Sequence, residues 1–437
     1  MNTKTIALLA IAAIAIAGTA AFILMSGNSD KGPEDRTVTE RLQVYGNADN
    51  DDILDDNDVK FIEKIISANT DNDKANDIDW KNKYPYADAN FDGKVDSLDV
   101  DWTKKMVKRE KMTVYFVDGN GNTKSVKYPL DHVVAAGIAD VYTSLLCMGA
   151  TSKIVAVNSG YSSDPILYGD FAKLPVVGDS APVVSIDKVS ELRKTTPVDA
   201  IITDTMGNMV SNEEQFVAAG IPVLRMAISD AGKYPQAMLT TGYLLGLEKP
   251  TQKFVAFSDG IMKTINDKVG NLPDSKRTTC LAGFMTTWIS GKGHVDNTIT
   301  VMAGAKNIAD WDISQNSAHQ VGSGNTWIFN YNPDVITNRA SVGYGSTDVN
   351  ALWSKYCLFF EQMDCYNKGK VYFINGSMPV CVRLAYMAAL YYPELFESDF
   401  GSKANQSFID EYVSALSGKY DVKKDGVFVV SKDMVSV

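Results

Sequence analysis

Histidine, cysteine and positive charge are scarce in this chain, and each shortage removes a class of function. There are 3 histidines and 5 cysteines in 437 residues. His132, His294 and His319 lie in separate segments and no H-E-x-x-H pair occurs, which excludes the common helical zinc-hydrolase arrangement. Cys147, Cys280, Cys357, Cys365 and Cys381 form no C-x-x-C pair, so neither a zinc site nor a disulfide framework is indicated and they read as small buried hydrophobes. No nucleophile-elbow G-x-S-x-G and no phosphate-loop G-x-x-x-x-G-K-[ST] is present; Gly291-Lys292-Gly293-His294 has only a superficial likeness to the latter. An enzyme is therefore not expected. With a net charge of −11 the chain lacks the clustered Lys and Arg that phosphate backbones require, and a nucleic-acid partner is excluded.

Long apolar runs are also missing except at the start. Residues 6–25, IALLAIAAIAIAGTAAFILM, form an uncharged stretch of the length that spans a bilayer. Ala17-Gly18-Thr19-Ala20 is compatible with cleavage of a secretory signal, but the run continues to Met25, which favours an uncleaved anchor. Either way the remainder is expected outside the cytoplasm. Residues 26–40 are polar with Gly and Pro and read as a tether.

Residues 41–111 carry the most specific motif. In Asp88, Asn90, Asp92, Asp96 and Asp99, oxygen-bearing side chains stand at positions 1, 3, 5, 9 and 12 of a twelve-residue loop, with Gly93 at position 6 and the Lys94 carbonyl at position 7. A hard calcium ion needs this spacing of oxygen ligands around a sharp turn. A weaker copy lies 41 residues earlier: Asn47, Asp49, Asp51, Asp55 and Asp58, with the carbonyl of Ile53, but with Asp52 in the glycine position. An amphipathic helix follows each loop. The paired loop-helix repeats resemble a type I dockerin, and the resemblance implies structural calcium and a cohesin-like partner. The pairs at loop positions 10 and 11, Asp56-Asn57 and Ser97-Leu98, depart from the usual Ser/Thr type, and a calcium-rigidified spacer is the alternative.

From residue 112 onward, short β-branched runs alternate with helical stretches, a pattern that predicts mainly parallel sheets covered on both faces. Expected helices include 138–147, 187–193, 211–219, 298–305 and 349–363. The stretch 234–272 reads as two consecutive helices joining two halves, flanked by a weak repeat, Thr196-Pro197-Val198-Asp199 and Asn332-Pro333-Asp334-Val335. The order of motifs, from the hairpin with Asp118-Gly119 through Leu146-Cys147-Met148-Gly149-Ala150 to the paired Pro-x-Asp strands and Tyr392-Pro393-Glu394-Leu395, resembles a class III periplasmic-type substrate-binding protein. The resemblance implies two Rossmann-like α/β lobes on a long helix, here preceded by a small all-α dockerin-like domain.

The expected domains are thus 1–25 anchor or signal, 26–40 linker, 41–111 calcium-binding, 112–232 first lobe, 233–272 helical connection and 273–437 second lobe. The implied function is capture of an iron complex (siderophore or haem) or a corrinoid for an ABC importer. A cell-surface scaffold or adhesion protein working through the calcium segment is the alternative. Loops at the strand ends place Tyr161, Met206, Met209, Trp288, His294, Tyr344 and Met378 as candidate ligand contacts, since aromatics and methionines suit a large, partly apolar chelate. The resemblance also implies a carboxylate on each lobe for a permease. Asp187 and Glu191, four residues apart on one helix face, are candidates in the first lobe, whereas the second-lobe position falls near Thr326.

Overall fold

The computed structural model describes residues 41–70, 77–179, 184–205, 210–284, 288–309, 318–320, 332–340, 342–345, 347–357 and 360–435. The apolar run, the tether, Met206, Met209 and Thr326 lie outside these residues. Among the described residues no helix is long and apolar enough to cross a membrane.

In the acidic segment, α1 (Asp56–Thr70) and α2 (Ser97–Val107) follow the two loops and pack on each other. Asp96 caps α2 by accepting from Leu98 N at 2.8 Å, in a reciprocal capping box with Asp99. Strands β1 (Met112–Val117) and β2 (Thr123–Tyr128) form the expected hairpin, whose turn is fixed by Asp118 accepting from the amides of Asn120 and Asn122.

The first lobe contains β3 (Val133–Ala135), α3 (Ala139–Cys147), β4 (Ile154–Asn158), β5 (Val176–Gly178), α4 (Ile186–Leu192), β6 (Ala200–Asp204), α5 (Glu213–Ala218) and β7 (Val223–Met226). Its sheet runs β5-β4-β3-β6-β7, all parallel. These strands are almost wholly buried, as a parallel sheet covered on both faces requires. Strand order reverses between β3 and β6, so a crevice opens at their carboxyl ends.

Two helices then carry the chain across: α6 (Tyr234–Leu244) and α7 (Glu248–Val269). With 22 residues α7 is about 33 Å long. Its buried positions Phe254, Ser258, Ile261, Ile265 and Val269 make one stripe, and Pro250 lies in its first turn as expected. At the elbow, Gly246 takes φ +67°, and a Cβ on Gly242 would stand 2.2 Å from the Thr251 hydroxyl, so the two helices meet at a distance only glycine permits.

The second lobe has β8 (Thr279–Phe284), β9 (Trp288–Ser290), α8 (Val295–Met302), β10 (Lys306–Asn307), β11 (Ala318–Gln320), β12 (Val335–Ala340), α9 (Val349–Tyr356), β13 (Val371–Asn375), α10 (Val380–Tyr391), α11 (Phe400–Tyr412) and β14 (Val429–Val430). Strands β10, β8, β12 and β13 are parallel, with β9, β11 and β14 antiparallel at the margins. Two helix expectations shift. The helix expected over 298–305 starts at Val295, because His294 caps it, and gives way to β10 after Gly304 at φ +97°. The helix expected over 349–363 ends at Tyr356; turns through Phe360 and Met363 then bury Trp353, Cys357, Phe360 and Cys365 together beneath the sheet.

All five cysteines are buried and unbridged. The largest core is continuous through both lobes and takes in Leu42, Val44, Leu54 and Met106 of the acidic segment.

Candidate functional site

The carboxyl ends of the two parallel sheets face one another, and buried polar contacts close the floor between them. Asp140, at the start of α3, meets Arg383 of α10 at 2.5 Å, with side chains 3% and 5% exposed. Each is the sole charged residue of its helix. A buried charge of this kind persists only when paired. Nearby, Thr143 Oγ1 donates to the Ser377 carbonyl at 2.7 Å, and Asp164 Oδ2 accepts from Tyr344 N at 3.0 Å. Gly343 is required there, since a Cβ would stand 2.1 Å from the Asp164 carboxylate. Burial pushes the Asp164 pKa up, against the pull of the amides that bind it.

On the second-lobe wall three flat rings lie nearly parallel. Phe284, from the end of β8, stacks on Trp288 at 5.9 Å and on His294 at 5.4 Å, with interplanar angles of 10° and 6°. The Arg339 guanidinium, from β12, lies 5.6 Å from the Phe284 ring and pairs with Asp296 at 3.0 Å. His294 Nδ1 accepts from Asp296 N at 3.2 Å while capping α8, so the neutral ring carries its proton on Nε2. A neutral imidazole bound to a metal through Nε2 would need its proton on Nδ1, where the amide already donates. His294 is itself buried, 5% exposed, so its ring forms part of the wall behind Phe284 and does not offer open surface. Burial lowers its pKa, opposed by Asp296. Behind the stack, Asp296, Thr300, Thr337, Asn338, Arg339 and Arg383 line a cavity of about 20 Å³, room for one water molecule.

On the first-lobe wall Asn158 ties three strand ends together: its Oδ1 accepts from Gly137 N at 3.0 Å and from the Tyr142 hydroxyl, and its Nδ2 donates to the Asp179 carbonyl at 2.8 Å. Tyr161, on the turn after β4, is half-buried and packs edge-on to Tyr142 at 6.4 Å.

The candidate ligand contacts are thus distributed unevenly. Tyr161 and Trp288 are partly exposed at the strand ends. Tyr344 and Met378 are buried in the floor, and the Tyr344 hydroxyl is committed to Asn405 Oδ1 at 2.8 Å, so these two brace the seam rather than offer surface. Met206 and Met209 lie outside the described residues. Asp187 and Glu191 are both exposed on α4, with Glu191 pairing to Lys194. Sequence reasoning missed Asp140, Arg383, Arg339, Asp296 and Phe284; a lone charge in a helix was the available signal for the first two.

The two acidic loops share one geometry. The position-12 carboxylate accepts from the amides of positions 3 and 9 in each: Asp58 from Asp49 and Asp55, Asp99 from Asn90 and Asp96. Position 4 is left-handed in both, Asn50 and Phe91 at φ 59°, and Gly93 takes φ +88°. Burial raises the pKa of Asp58, with Asp49 and Asp51 adding to it, and pushes Asp99 to about 6. Among the described residues no three His, Cys, Asp or Glu side chains already converge on a metal position. Asp88, Asp92 and Asp96 instead bond amides of their own loop. The donor set nevertheless fits a hard cation, because it is all oxygen and because Asn47 Oδ1, at position 1, is buried without a partner. Asp52, where a turn glycine was wanted, is held by Arg41 instead.

Two α/β lobes with facing carboxyl strand ends, bridged by a long helix, define the TroA-like periplasmic-binding-protein fold. The chain resembles the TroA-like periplasmic binding protein FepB from Veillonella parvula, at 17% identity and TM-score 0.54 over 72% of this chain and 98% of that one. It also resembles an ABC transporter solute binding protein from Sulfurospirillum deleyianum (16%, TM-score 0.55, 71% and 98% covered) and the molybdate-binding MolA of Haemophilus influenzae (16%, TM-score 0.55, 68% and 97% covered). At these identities the likeness is one of fold. No family model and no curated protein matches the sequence.

Proposed function

We propose that this chain is an extracytoplasmic solute-binding protein of an ABC importer, tethered to the membrane by residues 6–25, that captures an iron complex or a corrinoid between its lobes. The observation that carries this reading is the cleft itself: two parallel sheets present their carboxyl ends across a fixed floor, and one wall is a three-ring aromatic stack. A stack of Trp288, Phe284 and His294 beside the Arg339 cation suits a flat or bulky ligand that carries acceptor oxygens. Asp187 and Glu191, exposed on one helix of the first lobe, are the proposed permease contacts.

Thermal unfolding with ferric siderophores, haem, cobalamin and molybdate tests the reading. A true ligand at one hundred times its Kd adds about 2.7 kcal/mol to stability. A shift with molybdate alone replaces the chelate by an oxoanion. No shift with any of them removes the transport reading and favours a scaffold role.

The acidic segment is proposed to bind calcium at Asp88, Asn90, Asp92, Lys94 O, Asp96 and Asp99, and at Asn47, Asp49, Asp51, Ile53 O, Asp55 and Asp58. When bound, calcium supplies charge neutralisation and loop rigidity. A cohesin-like module is its proposed partner.

A further inference from the structure

The acidic segment is fastened to the connector helix at the first of its two loops. Residues 43–45 extend the hairpin as a third strand: Tyr45 N donates to Tyr115 O and Val117 N to Gln43 O, both at 2.9 Å, with a bridge between Val44 and Phe116. Gln43 N also donates to Thr240 Oγ1 of α6 at 3.1 Å.

Two arginines complete the attachment. Arg41 grips Asp52, loop position 6, and reaches Asp259 in the middle of α7 through Nη1 at 2.9 and 3.0 Å. Its side chain is 18% exposed, so the pair is largely shielded from water and salt. Beside it Gln252 of α7 donates to the Asp52 carbonyl at 3.4 Å. Arg109, just beyond α2, pairs with Glu248 at the start of α7 at 2.7 Å, lies over the Tyr243 ring at 5.3 Å, and donates to the Leu54 carbonyl, position 8 of the same loop, at 3.4 Å. Leu54 and Met106 belong to the core that fills both lobes. A freely tethered docking module would show none of this.

The first loop is thus held between a cation-ligand geometry on one side and the connector helix on the other. Asn47 Oδ1 and the buried Asp58 mark the ligand side; Asp52, Ile53 and Leu54 run directly from it to Arg41, Gln252 and Arg109. We propose that calcium in the first loop is coupled through Arg41 to α7, so that cation occupancy of the acidic segment stiffens the element on which the two lobes are mounted. The inference rests on the calcium reading of the loops and is independent of which solute, if any, the cleft takes. Linkage is reciprocal: a solute that orders α7 raises calcium affinity by the factor by which calcium raises its own.

Backbone hydrogen exchange on the full chain, with calcium chloride added to chelator-treated protein, tests the coupling. Full transmission at one hundred times Kd gives a ceiling of about 100-fold slowing. The expected result is slowing of at least about 5-fold at the amides of residues 251–262 as well as in the loops. In Arg41→Gln, and in Asp259→Asn, which leaves the segment itself intact, calorimetry still detects calcium and the α7 effect disappears. Calcium binding that protects the loops while leaving α7 unchanged in the parent overturns the coupling and leaves the calcium reading standing. Absence of any calorimetric calcium signal overturns both. Retention of α7 slowing in both variants assigns the coupling elsewhere than Arg41 and overturns the proposal as stated.

Discussion

Single residues decide how the cleft floor is held. Asp140 and Arg383 lie in a water-poor seam, where removing one partner strands the other charge. Asp140→Leu is expected to lower stability by about 3–5 kcal/mol, while adding Arg383→Met to it recovers most of the loss. Denaturant unfolding of the four members of the cycle measures both numbers, and simple addition of the two single losses would show that the charges do not interact. His294 gives a pH signature. Its folded pKa lies below the ordinary 6.5, so the unfolded chain binds the proton more tightly. The stability it contributes is complete above pH 6.5 and is lost as pH falls below that value toward its folded pKa. His294→Asn keeps a capping acceptor for α8 and should flatten that part of the pH profile between 7 and 5. Trp288→Ala should weaken a stacked ligand by about 1 kcal/mol, read by calorimetry, without moving the unfolding midpoint of the ligand-free protein by a similar amount.

At the scale of elements, the elbow between α6 and α7 and the two acidic loops make separate demands. Gly242→Ala forces a methyl group onto Thr251 in a packed site and is expected to cost about 1–3 kcal/mol. In the second loop Asp92→Ala removes a position-5 oxygen, and calcium stoichiometry measured by calorimetry should fall by one. On the calcium reading the first loop is the weaker of the two proposed sites, since Asp52 stands at the glycine position, where its carboxylate pairs with Arg41. The helices themselves follow local rules. Asp96 caps α2, Ser185 caps α4, and Asp348 caps α9, each accepting from an amide two or three residues on.

For the whole molecule, the lobes are joined along α7 and again across the floor by Asp140–Arg383, Thr143–Ser377 and Asp164–Tyr344. Such a double attachment leaves little room for hinge closure, because a large rotation would break buried polar pairs and bend a continuous helix. Small-angle scattering should show nearly the same radius of gyration with and without ligand, and a large contraction on binding would contradict this attachment.

Much of the two-lobed plan was determined by the sequence, because hydrophobic periodicity, Pro-x-Asp turns and the 234–272 helices are local features whose physics is carried by neighbours in the chain. The shape of the twelve-residue loops was legible for the same reason: the carboxylate-to-amide hydrogen bonds that set it all lie within one short segment. Tertiary structure alone decided the cleft. Asp140 pairs with a residue 243 positions away and Arg41 with one 218 away, separations at which no periodicity or spacing leaves a trace. It also decided that Tyr344 and Met378, placed by their loops as ligand contacts, are seam residues, since which face of a loop is buried depends on the opposing lobe. The acidic segment shows the same division. Its local spacing sets the turn of each loop, while its attachment to α7 depends on Arg41 and Arg109 meeting acids that only folding brings within reach.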